Sequence, residues 1–172
     1  MEVIAVQSGS VTGWLEAATA LGEIEFDSVQ SLVDNIIKLL KGRTIDKLHL
    51  QAEGDSTGFD LGKTDTLDIN NFKEVYRGQL SRLTPCFSRS DPTLVLRACE
   101  VGQNVTLLSN LAAAWKVTVI CGRGFQNNLL GFNTGNYVTV KPDGSTETSI
   151  LMPPRAKYDT LGAGRRLLQK FG

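Results

Sequence analysis

Cys99 is the residue of this 172-residue chain best placed to do chemistry. Leu94, Val95 and Leu96 form a short apolar run that suits a strand buried on both faces. The run ends at Ala98-Cys99, and a polar loop, Glu100 to Gln103, follows before a new apolar-periodic segment. A thiol at such a strand end can act as a nucleophile if a base deprotonates it. The nearest titratable groups by the same logic are Glu53 and Glu100. Glu53 opens the loop Glu53-Gly54-Asp55 after a run that ends at Ala52. His49 is the single histidine, and it falls inside that run, four residues before Glu53. Ser8, in Ser8-Gly9-Ser10, closes the first apolar run in the same manner. Arg97 and Arg123 stand near the ends of neighbouring runs and can line a pocket there.

These residues meet only if the runs are strands of one sheet. Val3 to Val6 reads as a buried parallel strand. Trp14, Leu15, Ala17, Ala18 and Leu21 fit one helical face, and Ile24 and Phe26 alternate with charges as a second strand. Val29, Leu32, Val33, Ile36, Ile37 and Leu40 make a broad helical stripe, capped by Asp27 or Ser28 and stopped at Gly42. Ile45, Leu48, Leu50 and Ala52 build a third strand. Phe59 to Gly62 and Thr66 to Asp68 read as a small hairpin. A helix follows, capped by Asn70 or Asn71, running from Phe72 to Leu83 and closed by Pro85. After the Cys99 strand comes a helix over Val105 to Trp115, with Asn104 as its cap, and then a strand ending in Cys121-Gly122. Residues 125–136 are rich in Asn and Gly and read as a mobile loop. Tyr137 to Val140 and Thr146 to Ile150 flank Pro142-Asp143-Gly144, a hairpin signal. In an open α/β sheet, loops at the carboxyl strand ends collect the chemistry. The expected fold is therefore α/β, a mainly parallel sheet with helices on both faces and a terminal β-hairpin. Residues 1–152 read as one domain, and 153–172 as a basic tail carrying Arg155, Lys157, Arg165, Arg166 and Lys170.

Composition sets the outer limits. The formal net charge is zero and 21% of residues are charged, so nucleic acid is not an expected partner. No apolar run approaches the ~20 residues of a membrane span. Cys86, Cys99 and Cys121 are an odd set without a C-x-x-C spacing, which speaks against a metal site or a disulfide framework. Gly122-Arg123-Gly124 lacks the third glycine of a dinucleotide fingerprint, and no cofactor is expected. The N-terminus lacks a basic leader region, so the expected setting is cytoplasmic, or within a secreted multidomain protein.

Two stretches, His49-Leu50-Gln51-Ala52-Glu53-Gly54-Asp55 with Gly58-Phe59-Asp60-Leu61-Gly62, and Leu94 to Gly102, resemble the caspase–haemoglobinase group of cysteine peptidases. Within that group the chain is similar to caspase-like modules of large bacterial proteins and to self-processing peptidase domains of bacterial toxins. There a strand ends in His-Gly, a short Gly-rich hairpin follows, and a later strand ends in the nucleophilic Cys. The resemblance implies a caspase-like three-layer sandwich, Cys99 at the nucleophile position and Gly54 as an oxyanion-hole glycine. It also exposes a departure: Glu53 stands where the family has its histidine. His49 lies about 13 Å back along the strand, at ~3.3 Å per residue. Proton transfer from a thiol to a carboxylate is uphill by about 4 pK units, or about 5.7 kcal/mol. Glu53 and Glu100 also oppose a thiolate electrostatically. An ion pair of Glu53 with Arg97 or Arg123 would close the former site.

The expected function is a catalytically degenerate caspase-like domain that acts as a protein-interaction or regulatory module, with a protein as the expected partner. The alternative is an active, self-processing cysteine endopeptidase with a base supplied from elsewhere. A third reading places a polyanion on the basic tail, by analogy with toxin domains that respond to a polyphosphate.

Overall fold

Apolar runs separated by amphipathic segments build a seven-stranded sheet. The computed structural model describes residues 1–8, 24–127 and 132–158. The sheet strands are β1 (Glu2–Gln7), β2 (Ile24–Phe26), β3 (Lys47–Gln51), β6 (Thr93–Arg97), β7 (Thr118–Gly122), β10 (Tyr137–Val140) and β11 (Thr146–Ser149). They lie in the order β11-β10-β7-β6-β3-β1-β2. β2, β1, β3, β6 and β7 run parallel, whereas β10 and β11 form the antiparallel terminal hairpin. Two small sheets stand outside it: β4 (Gly58–Asp60) with β5 (Thr66–Asp68), and β8 (Gln126–Asn127) with β9 (Phe132–Asn133). The molecule is an α/β fold with a mainly parallel central sheet flanked by helices, as the sequence leads one to expect. The helix expected over Trp14–Leu21 lies outside the described residues.

Helix α1 (Val29–Leu40) begins in a capping box in which the Ser28 side chain accepts from the Ser31 N–H and Ser31 answers the Ser28 N–H. Its stripe of Val29, Leu32, Val33, Ile36 and Leu40 is buried. Helix α2 is shorter than the periodicity predicts. It spans Phe72–Gly78 and gives way to a 3-10 segment, Leu80–Cys86, that contains Pro85. Gly78 is a poor helix former, and Gln79 leaves helical geometry with φ −131°. Asn71 does not cap α2 with its side chain; its Oδ1 instead accepts from the Asp68 N–H. Helix α3 (Val105–Trp115) is capped by Asn104, whose Oδ1 accepts from the Leu107 N–H.

The two faces of the sheet differ. One carries Val3, Ala5, Leu48, Leu50, Leu94, Leu96, Val119 and Val138, and the buried faces of α1, α2 and α3 pack on it in one continuous core. On the other face β3 presents Lys47, His49 and Gln51, and β6 presents Thr93, Val95 and Arg97. The segment 153–158 crosses this second face, with Ala156 buried against Val95, Ile120 and Tyr137. The first part of the basic tail is thus docked rather than separate. Arg165, Arg166 and Lys170 lie outside the described residues.

Candidate functional site

Parallel strands bring their carboxyl ends to one edge. The last register pair between β3 and β6 is Gln51 with Arg97, and the Ala52 N–H donates to the Arg97 carbonyl at 3.2 Å. Glu53 and Cys99 each follow two residues later, so they leave adjacent strands at the same level. Gly54 brings the two loops into contact. A Cβ at this position would lie 2.7 Å from Val101 Cγ2, 3.0 Å from the Gly58 carbonyl oxygen and 3.1 Å from Ala98 Cβ. Only glycine fits so close an approach.

The Glu53 loop is held by its backbone. The Glu53 N–H donates to Gln7 Oε1 at 2.9 Å, and its carbonyl accepts from the Asp60 N–H at 2.9 Å. Gln7 Nε2 donates to the Gly62 carbonyl, so one buried amide ties β1 both to the Glu53 loop and to the turn between β4 and β5. Asp55 Oδ1 accepts from the N–H and hydroxyl of Thr57 and from the Gly58 N–H, and these bonds hold its carboxyl below the usual range. Asn104 Nδ2 donates to the Thr57 carbonyl at 2.9 Å, which fastens the hairpin to the start of α3. The Glu53 side chain itself is exposed.

Cys99 is half-buried, and its Sγ accepts the Gln126 N–H at 3.4 Å. The donor belongs to β8, in the segment that reads as a mobile loop from sequence. Asn133 is what orders it. Its Oδ1 accepts from the N–H groups of Gly124 (2.8 Å) and Gly135 (2.9 Å), and its Nδ2 donates to the Gly124 carbonyl at 2.9 Å. A side-chain amide bonding to backbone has no periodicity, so only the Asn and Gly content of 125–136 hinted at this pin. Glu100 takes a left-handed conformation (φ 58°), donates its N–H to the Gly124 carbonyl at 2.8 Å and accepts from Gln103 Nε2. Arg123 is fixed through its backbone to Asn136 and Gln103, and its Nε is buried without a hydrogen-bond partner. Ser8 lies at the same sheet edge and donates its N–H to the Phe26 carbonyl at 2.7 Å.

The expected closure of the site by an ion pair does not occur: among the described residues, neither Arg97 nor Arg123 pairs with Glu53. Arg97 shares the strand face of Val95, away from the helices, and is 2% exposed. Its Nη2 donates to the Ala156 carbonyl at 3.0 Å, its Nε donates to His49 Nδ1 at 3.4 Å, and its guanidinium lies 4.3 Å from the Tyr158 ring centre. Strand alternation therefore removes Arg97 from the Glu53 loop.

His49 is fully buried beside it. With Nδ1 accepting from Arg97, Nε2 carries the proton and donates to Glu2 Oε1 at 2.9 Å. Burial pushes its pKa down to about 4, helped by the Arg97 and Lys47 charges and opposed by the bond to Glu2. Its register partner is Val95, four residues short of Cys99. Cys121, on the neighbouring strand, is buried, and desolvation pushes its thiol up to about 12. The edge thus offers a half-buried thiol, an exposed carboxylate and a rigid backbone rim, with the imidazole held elsewhere.

No helix among the described residues is long and apolar enough to cross a membrane. Comparison with curated proteins and with solved structures gives no match. Residues 14–124, more than half of the chain, match the family model described as a domain of unknown function, DUF4347, and the chain belongs to that family.

Proposed function

We propose that this is a catalytically degenerate caspase-like domain that serves as a protein-interaction module. The observation that carries the reading is the position of the single imidazole. His49 is locked between Glu2 and Arg97, with its Nδ1 already accepting a hydrogen bond, four strand positions before the level of Cys99. A general base must reach the proton it removes directly or through one water. Glu53 occupies the loop position where the resemblance requires histidine, and proton transfer from a thiol to a carboxylate is uphill by about 5.7 kcal/mol, against about 2.7 kcal/mol for an imidazole. The hairpin β4–β5 after Gly54 and the terminal hairpin β10–β11 after β7 agree with the resemblance.

The test is to compare the unmodified protein with Glu53→His. The unmodified protein should cleave neither itself nor a peptide library in a Cys99-dependent way. Glu53→His restores an imidazole beside the thiol and should raise Cys99 alkylation near neutral pH about tenfold by forming an ion pair with the thiolate. Cys99-dependent cleavage by the unmodified protein would replace this reading with that of an active cysteine endopeptidase.

A further inference from the structure

A parallel sheet covered on both faces is normally apolar on both. Here the second face buries polar groups among its apolar ones: His49 is 0%, Gln51 2%, Thr93 2% and Arg97 2% exposed, beside Val6 at 2% and Ile120 at 1%. Buried polar groups must find partners. Several of these partners belong to the segment that crosses the face. Arg97 Nη2 donates to the Ala156 carbonyl at 3.0 Å, and Lys47 Nζ donates to the Lys157 carbonyl at 2.8 Å. The Tyr158 ring lies 4.3 Å from the His49 ring centre and 4.3 Å from the Arg97 guanidinium. Its phenol hydroxyl meets Gln51 Nε2.

We propose that this face is a peptide-binding shelf for a segment that leaves a single 3-10 turn and carries a small residue two places before a tyrosine, and that Ala156–Tyr158 is its exchangeable intramolecular occupant. Three observations support exchange. The shelf reads two main-chain carbonyls, that of Ala156 at the end of the 3-10 turn Pro154–Ala156 and that of Lys157 just after it, which do not depend on side-chain identity; side-chain choice is confined to two positions. Position 156 must be small, because Ala156 is fully buried between Val95, Ile120 and Tyr137. Position 158 must be aromatic with a polar tip. Next, the apolar anchor is small, the Ala156 methyl group with a partly buried Met152 beside it, and the outer anchor, Arg155 with Asp91 at 2.8 Å, is an exposed ion pair of the kind that contributes little. Finally, Gln51 Oε1 is buried with no hydrogen-bond partner among the described residues. The present occupant leaves an acceptor unused that a segment with one more donor would fill. This inference stands apart from the peptidase resemblance, since it uses neither Cys99 nor Glu53.

The experiment vacates the shelf in the full chain with the triple substitution A156G/K157S/Y158G. The probe is a fluorescein-labelled peptide copying residues 153–158, followed by anisotropy. In the unmodified chain the tethered segment competes at an effective concentration of about millimolar. The vacated chain should therefore bind the probe at least tenfold more tightly than the unmodified chain. A probe with alanine in place of its tyrosine should bind the vacated chain at least tenfold more weakly. Equal binding by vacated and unmodified chains, or equal binding of the two probes, overturns the proposal. Lys47→Gln in the otherwise unmodified chain keeps the question answerable if the triple variant does not fold. It removes one carbonyl contact, and trypsin should then cut after Arg155 and Lys157 several-fold faster with an unchanged circular dichroism spectrum. Unchanged cleavage overturns the proposal as well.

Discussion

A carboxylate and an imidazole at position 53 make opposite demands on a neighbouring thiol, and that contrast was legible from residue types alone. Gly54 was singled out by the resemblance as an oxyanion-hole glycine; what the structure adds is a steric requirement that the sequence did not show. Gly54→Ala would drive a methyl group to 2.7 Å from Val101 Cγ2. Overpacking of this kind costs about 1–3 kcal/mol, to be read as a lower urea midpoint. The three thiols should separate cleanly in the native protein. Cys121 is buried with its pKa raised to about 12, so it should resist alkylation that reaches Cys99. Mass mapping after brief iodoacetamide treatment checks this; prompt labelling of Cys121 would contradict the buried environment. His49 makes the sharpest residue-scale prediction. Its folded pKa is about 4 against an ordinary 6.5. Above pH 6.5 both states leave it neutral. As pH falls towards 4 the unfolded chain gains a proton that the folded chain refuses, so stability drops. The loss is about 3 kcal/mol, complete below pH 4. Urea unfolding at pH 7 and pH 4 measures it, and His49→Asn should shrink the difference. Sequence spacing put His49 in the strand; nothing in the spacing showed that its partners would be Glu2 and Arg97, because both depend on register between strands.

The elements that bury one apolar face were readable from their periods: β1, β3, β6 and β7 from short apolar runs, α1 and α3 from their stripes and caps. Two elements departed from the pattern for local reasons. α2 stops at Gly78 because a glycine and a non-helical Gln79 (φ −131°) interrupt the helix. The β8–β9 hairpin exists because one side chain cross-links it. Asn133→Ala would strand the N–H groups of Gly124 and Gly135, both now bonded to Asn133 Oδ1. Each unsatisfied buried group costs about 1–3 kcal/mol, although partial hydration of this half-exposed rim favours the lower end. The hairpin carries the N–H that bonds Cys99 Sγ, so its loosening should also expose the thiol. The expected result is a lower urea midpoint together with faster Cys99 alkylation. Gly122→Ala should act in the same direction, since its Cβ would fall 2.1 Å from Asn133 Cγ. If either variant lowers stability with no change at Cys99, the hairpin does not control access to the thiol.

On the scale of the whole molecule the sheet has an apolar side and a mixed side, on which His49, Gln51 and Arg97 are buried beside Val95 and Ile120, and the two should open separately. The parallel architecture was visible from alternating runs, because each apolar strand and helix stripe reports the face it buries. The buried polar groups of the other face were not visible, since nothing in the spacing of Lys47, His49, Gln51 and Arg97 shows that a backbone segment covers them. Local opening follows buried apolar contact. The α1 and α3 face shares one continuous core with the strands, whereas the crossing segment has Ala156 as its fully buried apolar residue. Its amides are nevertheless bonded, Ala156 N–H to the Pro153 carbonyl at 2.9 Å and Lys157 N–H to the Pro154 carbonyl at 3.2 Å, so hydrogen exchange can report on them. Those two amides should exchange by a local opening, far faster than the amides of β3, β6 and β7. Acid should widen the gap. Protonating His49 places a cation against Arg97 and Lys47, opposed only in part by Glu2, directly beneath the Tyr158 ring. After correction for intrinsic rates, protection at Ala156 and Lys157 should therefore fall between pH 6.5 and pH 4.5 by more than protection at Leu94 or Leu96. Equal losses at both places would mean that the segment and the sheet unfold as one unit, and that the mixed face has no independent motion.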